Sequence, residues 1–367
     1  MEKKSLFLKV LIVGTFMSFF ACSGGHQVID DPSSSDNNDV DVYVAGSVIK
    51  LDDGFSHAVA TLWKNGEAMS LPYTDQNTYA YAYSVYVSGQ DVYVAGCEKD
   101  EDDDQVTTAI LWKNGEAVAL TDGNIESRAN SVYVSGSDVY VAGDMRTSDG
   151  DIATIWKNGK AMTMPLTGKN TSSEATSVYV SGPDVYAVGN ESVESHATTA
   201  ILWKNGEVVA SDENPYSNSS ANSVYVSGQD VYVAGWMDSY EGELAILWKN
   251  GKAMSLPYID QNTDAYASSV YVSGSDVYVA GSIANSEGDR TATIWKNGKA
   301  MTMPLTGENT SSELTSVYVS GSDVYVLGFD NNENTINNNI IIWKNGKAIM
   351  NWGIGYPSSM MVVPRPK

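Results

Sequence analysis

The sequence predicts an all-β protein: a seven-bladed β-propeller of four-stranded antiparallel blades, closed by the C-terminal strand. Three observations carry the prediction: one hairpin repeated six times, a second repeated seven times, and a repeat split between the two ends of the chain. The cleanest first hairpin runs Ser84-Val85-Tyr86-Val87-Ser88-Gly89-Gln90-Asp91-Val92-Tyr93-Val94-Ala95-Gly96, and it returns at Ser131, Ser177, Ser223, Ser269 and Ser316. Its Val/Tyr runs are rich in the β-branched and aromatic side chains that pack well on a pleated surface, and the Ser-Gly-x-Asp break supplies turn residues. The second hairpin is centred on Trp-Lys-Asn-Gly, whose Asn-Gly pair suits the two positive φ angles of a type I′ turn. Its tryptophans are Trp63, Trp112, Trp156, Trp203, Trp248, Trp295 and Trp343, separated by 49, 44, 47, 45, 47 and 48 residues.

The split repeat argues for a ring. Folded sequence begins at Asp39-Val40-Asp41-Val42-Tyr43-Val44-Ala45-Gly46, a second strand without its first. The missing strand lies at the other end, where Ser358-Ser359-Met360-Met361-Val362-Val363 aligns with Ser268-Ser269-Val270-Tyr271-Val272-Ser273. A linear array gains nothing from such an offset, whereas a closed ring gains a pairing that latches its ends together. We letter the strands of each repeat A to D. The A-B and C-D turns then lie on one face, short and nearly invariant, and the B-C and D-A connections lie on the other, long and dissimilar.

Residues 1–21 have a basic start (Lys3, Lys4, Lys9), an apolar run and a small residue before Cys22, the layout of an export signal. Residues 22–38 are too polar to bury a core and are expected to form a flexible tether, leaving 39–367 for the propeller. Phe19-Phe20-Ala21-Cys22 resembles the lipobox of bacterial lipoproteins, with Phe19 in place of the usual aliphatic residue. That resemblance implies lipidation at Cys22, a membrane anchor, and a place in the cell envelope of a Gram-negative bacterium, on the outer membrane. The repeated Asp-Val-Tyr-Val-Ala-Gly element resembles the "n-v-Y-v-t-G" core of bacterial seven-bladed propeller repeats, over residues 39–363, which implies the fold and no particular activity.

A net charge of −23 argues against nucleic acid, whose binding rests on Lys and Arg neutralising phosphate. With Cys22 assigned to the signal, Cys97 has no disulfide partner, and its position just after Gly96 varies between copies (Ser47, Asp144, Asn190, Trp236, Ser282, Phe329). Such variability reads as a loop or strand end carrying an inert thiol. The seven repeated tryptophans could stack on sugars, but a residue present in every unit is expected to pack the shared core. Trp236 and Trp352 fall outside the repeat and are better candidates for exposure. Asp41, Asp91, Asp138, Asp184, Asp230, Asp276 and Asp323 would ring the central channel, either holding a cation or, as the expected reading, each capping its own turn. The Asp100–Asp104 run lacks the spaced pattern of a calcium loop, so only a weak calcium site is expected there and no other cofactor.

Catalytic signatures are absent: no Gly-x-Ser-x-Gly, no phosphate-binding loop, no zinc-ligand pair, and only His57 and His196 as imidazoles of the folded part, both placed in B-C loops. Paired carboxylates of the glycosidase kind stay open. The expected function is therefore binding or scaffolding by a monomer through the variable acidic face, with Trp236, Tyr240, Asp102 and Asp103 as ligand-binding candidates. A neutral glycan or a protein ligand is the expected partner. The alternative is an enzyme acting on carbohydrate or peptide.

Overall fold

The computed structural model describes residues 27–28 and 40–365, apart from 53–54, 75–77, 101–105, 168–171, 193–197, 213–217, 241, 258–263, 308 and 332–337. Seven antiparallel sheets follow one another around a ring, as expected. In blade 2, Thr78–Ser88 is strand A, Asp91–Asp100 strand B, Thr107–Lys113 strand C and Glu116–Ala119 strand D. The A strands of successive blades pack on one another and therefore line the central channel. Every Asn-Gly turn takes the two positive φ angles expected of it, for example 52° at Asn65 and 88° at Gly66.

Ring closure follows the offset read from the sequence. Tyr356–Pro364 supplies strand A of blade 1 and pairs antiparallel with Val40–Asp52, with Met360 opposite Val44 and Val362 opposite Val42. Gln27–Val28, within the expected tether, pairs with Met350 and Asn351 at the outer edge of blade 7.

An A strand has a backbone partner on one side only, so its free edge needs another solution. The repeated serine supplies it. Val132 N–H donates to Ser84 Oγ at 3.1 Å, Val178 N–H to Ser131, Val224 N–H to Ser177, Val270 N–H to Ser223 and Val317 N–H to Ser269. Met360 N–H to Ser316 and Val85 N–H to Ser359 complete the circle through the C-terminal strand. One step along, Tyr86, Tyr133, Tyr179, Tyr225, Tyr271 and Tyr318 follow each other around the channel with ring centroids 4.8–4.9 Å apart. Met361 occupies the seventh place and accepts Val87 N–H on its sulfur at 3.0 Å.

The core lies between blades. Trp63, Trp112, Trp156, Trp203, Trp295 and Trp343 are fully buried, which supports packing over sugar stacking. Four of them donate their indole N–H to a proline carbonyl in the preceding D-A loop: Trp112 to Pro72, Trp203 to Pro165, Trp295 to Pro257 and Trp343 to Pro304, at 2.8–3.0 Å. The loop before Trp156 has no proline, and Trp156 Nε1 has no partner among the described residues. Trp248 is only half-buried. Where other loops bury Leu71, Met164, Leu256 or Met303, the loop before Trp248 places Asp212, whose N–H meets Ala200 O as Leu71 N–H meets Ala60 O. A polar residue cannot fill that apolar slot, and a cavity of about 30 Å³ remains beside Trp248.

Candidate functional site

The tight-turn face is uniform, and its chemistry is spent on holding the blades. In blade 2, Asn114 Nδ2 donates to Asp91 Oδ1 at 2.8 Å, Val92 N–H donates to Asn114 Oδ1, and Lys113 Nζ sits 3.0 Å from Asp91 Oδ2 and over the Tyr93 ring. The same Asp, Tyr, Lys and Asn recur in all seven blades. This corrects two expectations for the seven aspartates. They do not cap their own turns, because each accepts side-chain donors from the C-D turn across the blade. Nor do they ring the channel as cation ligands, because they sit on B strands, one strand removed from it, already paired with lysine. Hydrogen bonds from Asn114 and then Lys113 hold Asp91 below the usual carboxylate range. At Asp41, burial works the other way, but the hydrogen bonds of Asn65, Arg365 and Lys64 outweigh it and lower the carboxyl to about 2.

The loop face is where the blades differ, and the difference reaches into the strands. The position after the B-strand glycine carries Ser47, Cys97, Asp144, Asn190, Trp236, Ser282 and Phe329 in turn. The structure corrects the loop reading of this position: each residue lies inside a paired strand, and Ser47, Cys97, Asp144, Asn190 and Ser282 are buried. Opposite them, on the A strands, stand Tyr356, Tyr81, Arg128, Glu174, Ser220, Tyr266 and Glu313. A β-bulge in every A strand makes this geometry, leaving one A-strand residue unpaired and bringing the backbone against the glycine. A Cβ on Gly96 would lie 1.9 Å from Tyr81 O, so only glycine fits. Two concentric rings of variable residues therefore surround the loop-face mouth of the channel.

Around that mouth the chemistry changes by sector. Cys97 Sγ lies 3.3 Å from Tyr83 OH, and burial pushes the thiol up to about 11, which favours its protonated form. Between blades 3 and 4, a polar cleft of about 140 Å³ is lined by Arg128, Asp144, Glu174, Asn190, Ser192 and Thr198, among others. Asp144 is 3% exposed, and its Oδ1 has no hydrogen-bond partner among the described residues. Burial raises its carboxyl to about 7 against the pull of Arg128, and Glu174 adds to the rise. Further round, Trp236 meets Tyr266 edge-on at 6.2 Å, Arg290 lies 4.5 Å from the Tyr266 centroid, and Arg290 Nη1 donates to Glu313 at 2.8 Å.

Of the residues singled out from sequence, Trp236 lies within strand Asp230–Ser239 and is half-buried, and Trp352 is half-buried in strand Lys347–Ile354. Tyr240 is fully exposed at the tip of the following hairpin. Asp102, Asp103, His196 and Cys22 lie outside the described residues. His57 lies in a strand, Phe55–Lys64, rather than a loop. Sequence reasoning missed Arg128, Asp144, Glu174, Tyr266 and Arg290. It also missed that the acids next along strand B are structural: Glu98 accepts Thr74 N–H, Glu191 accepts Thr167 N–H and Asp330 accepts Thr306 N–H, each anchoring the preceding D-A loop. The available signal was the variable position after each glycine. Among the described residues no group of three His, Cys, Asp or Glu side chains is placed to hold a metal ion.

No protein-family profile matches the chain, and no curated protein sequence does. Solved structures do. A puromycin hydrolase superposes with a TM-score of 0.56 over 85% of this chain and 52% of its own, and a puromycin-hydrolysing peptidase of Mycobacterium tuberculosis with 0.52 over 86% and 52%, both at 12% identity. The chain thus spans about half the length of these two hydrolases. The β-propeller domain of the Trilobed protease from Pyrococcus furiosus, described as having an open velcro topology, gives 0.51 at 12% identity over 84% of this chain and 93% of the domain. At such identity the likeness shows the fold alone: the chain is a seven-bladed β-propeller, here with its ends paired through Tyr356–Pro364.

Proposed function

We propose that this propeller is a binding or scaffold module of the bacterial cell envelope, lipid-anchored through Cys22, that recognises a neutral glycan or a protein through its loop-face mouth. One observation carries the reading. Seven blades that otherwise repeat almost unchanged vary at two equivalent strand positions, with six kinds of residue at one and four at the other, for example Cys97 and Tyr81 in blade 2 against Trp236 and Ser220 in blade 5. Packing a repeat calls for sameness, as the Trp core and the Asp-Lys-Asn clasps show, whereas recognition of one partner calls for difference. The test is an unbiased pull-down from envelope extract together with a glycan screen; a chain that captures nothing in either sinks the reading.

A second reading is favoured by Asp144. A buried carboxyl raised to about 7, beside Glu174 in a cleft, is suited to give or take a proton near neutral pH. It would make the protein a hydrolase of carbohydrate or peptide. The hydrolase neighbours do not carry that activity to this chain, since the overlap is half their length. Turnover of any glycan or peptide that is lost in Asp144→Asn would establish it.

A further inference from the structure

We infer that the cleft between blades 3 and 4 is a subsite for a single neutral sugar ring, with Asp144 as its principal hydrogen-bond acceptor. The inference rests on the binding reading above and names a ligand class for part of that mouth. It starts from Asp144: a carboxylate oxygen almost wholly buried, lining a cleft, with no donor among the described residues, is costly unless something donates to it.

The remaining lining decides what that donor is. Several groups are already spent. Ser173 Oγ accepts Ala153 N–H, Asn190 accepts Ala221 N–H and donates to Glu174 Oε1, and Asp151 is paired with Arg146. Among the described residues Arg128 has one long contact of 3.5 Å, with Glu126, and it lies close enough to Asp144 to pull on its carboxyl. The cleft therefore offers strong acceptors, Asp144 and Glu174, beside a strong donor, Arg128, with the hydroxyls of Ser192 and Thr198 at its rim. A simple cation would face the guanidinium, and a simple anion would face the carboxylates. A hydroxyl group donates once and accepts twice, so a polyol satisfies both kinds of group at once without bringing charge. The cleft, of about 140 Å³, has room for a small polyol such as one sugar ring.

The full-length chain, held in a detergent without a sugar headgroup, is titrated by calorimetry and saturation-transfer NMR with glucose, galactose, mannose and N-acetylglucosamine. Parallel arms use butylammonium chloride, calcium chloride and sodium phosphate. At about pH 8, above the raised value of Asp144, the expected result is binding of at least one sugar, once per chain, weakened at least roughly tenfold by Asp144→Ala through loss of a charge-assisted hydrogen bond. Lys113→Ala, on the opposite face, should bind as wild type does. If Asp144→Ala does not fold, Thr198→Val serves in its place, with a smaller weakening expected. Three results overturn the inference: no sugar bound by wild type up to ~50 mM, sugar binding undiminished in both cleft variants, or butylammonium, calcium or phosphate binding that Asp144→Ala removes. Should the sugars fail while the mouth still captures an envelope partner, only this inference falls; should both fail, the binding reading falls with it.

Discussion

Removing residues 356–367 takes out strand A of blade 1, and the structure lets the cost be worked out. The strand buries Met360 to 4% exposure and Val362 completely, against Val42, Val44, Trp63 and Leu327. At ~1.5–3 kcal/mol for each fully buried side chain, the two contribute about 3–6 kcal/mol. Two links of the serine circle go as well, Met360 N–H to Ser316 and Val85 N–H to Ser359, each worth ~0.5–1.5 kcal/mol net. The sum, about 4–9 kcal/mol, is comparable to the ~5–15 kcal/mol total stability of ordinary domains, so the truncated chain should lose its cooperative thermal transition. Met360→Ala tests the same strand more gently and should cost ~2–5 kcal/mol, lowering Tm by roughly 2 °C per kcal/mol. Both are read by circular dichroism melts, with hydrogen exchange at Val42–Val44 as the local probe. A truncated protein that melts as wild type does, with those amides still protected, would refute the latch.

The other predictions test separate parts of the account. Asp144 is raised in the folded chain from 3.8 to about 7, so the folded state holds a proton that the unfolded state releases; stability should fall as pH rises from about 4 to 7 and stay low above it. The shift corresponds to roughly 4 kcal/mol at most, and Asp144→Asn should remove that part of the pH dependence in denaturant titrations; an unchanged slope counts against the burial of this carboxyl. Trp112→Phe and Trp156→Phe remove the same bulk, but only Trp112 gives up an indole hydrogen bond, to Pro72 O, so it should be the more damaging change by ~1 kcal/mol; equal losses would mean that the proline contact contributes nothing. Cys22→Ala should abolish the lipid mass increment and release the protein from the membrane fraction; equal masses and equal membrane fractions for both forms would end the anchor proposal.

The ring itself was legible because its determinants are local or terminal. Asn114-Gly115 announces a turn by the φ angles it tolerates, Val85-Tyr86-Val87 announces a strand by its side chains, and the half-repeat at each end announces closure. The mouth was not legible, because its contacts run between blades. Trp236 meets Tyr266 and Asn130 meets Ala175, pairs 30 and 45 residues apart that no local pattern joins. The Asp91 and Asn114 clasp was hidden for a related reason: its span changes from 24 residues between Asp41 and Asn65 in blade 1 to 20 between Asp138 and Asn158 in blade 3 as the B-C loop length changes. Asp144 was misplaced by an inference that usually holds, that variable positions lie in loops. Here the glycine before it tucks the backbone against the bulge opposite, and variability is carried on a strand.

The central claim is that recognition belongs to the variable mouth and not to the repeated turns. The direct measurement is capture of envelope partners and array glycans by four forms of the full-length chain side by side: wild type, Asp144→Ala, Trp236→Ala and Lys113→Ala. Whatever wild type captures should be weakened by Asp144→Ala or Trp236→Ala and kept by Lys113→Ala. Capture that survives both mouth changes and disappears with Lys113→Ala would contradict the claim and move the site to the opposite face.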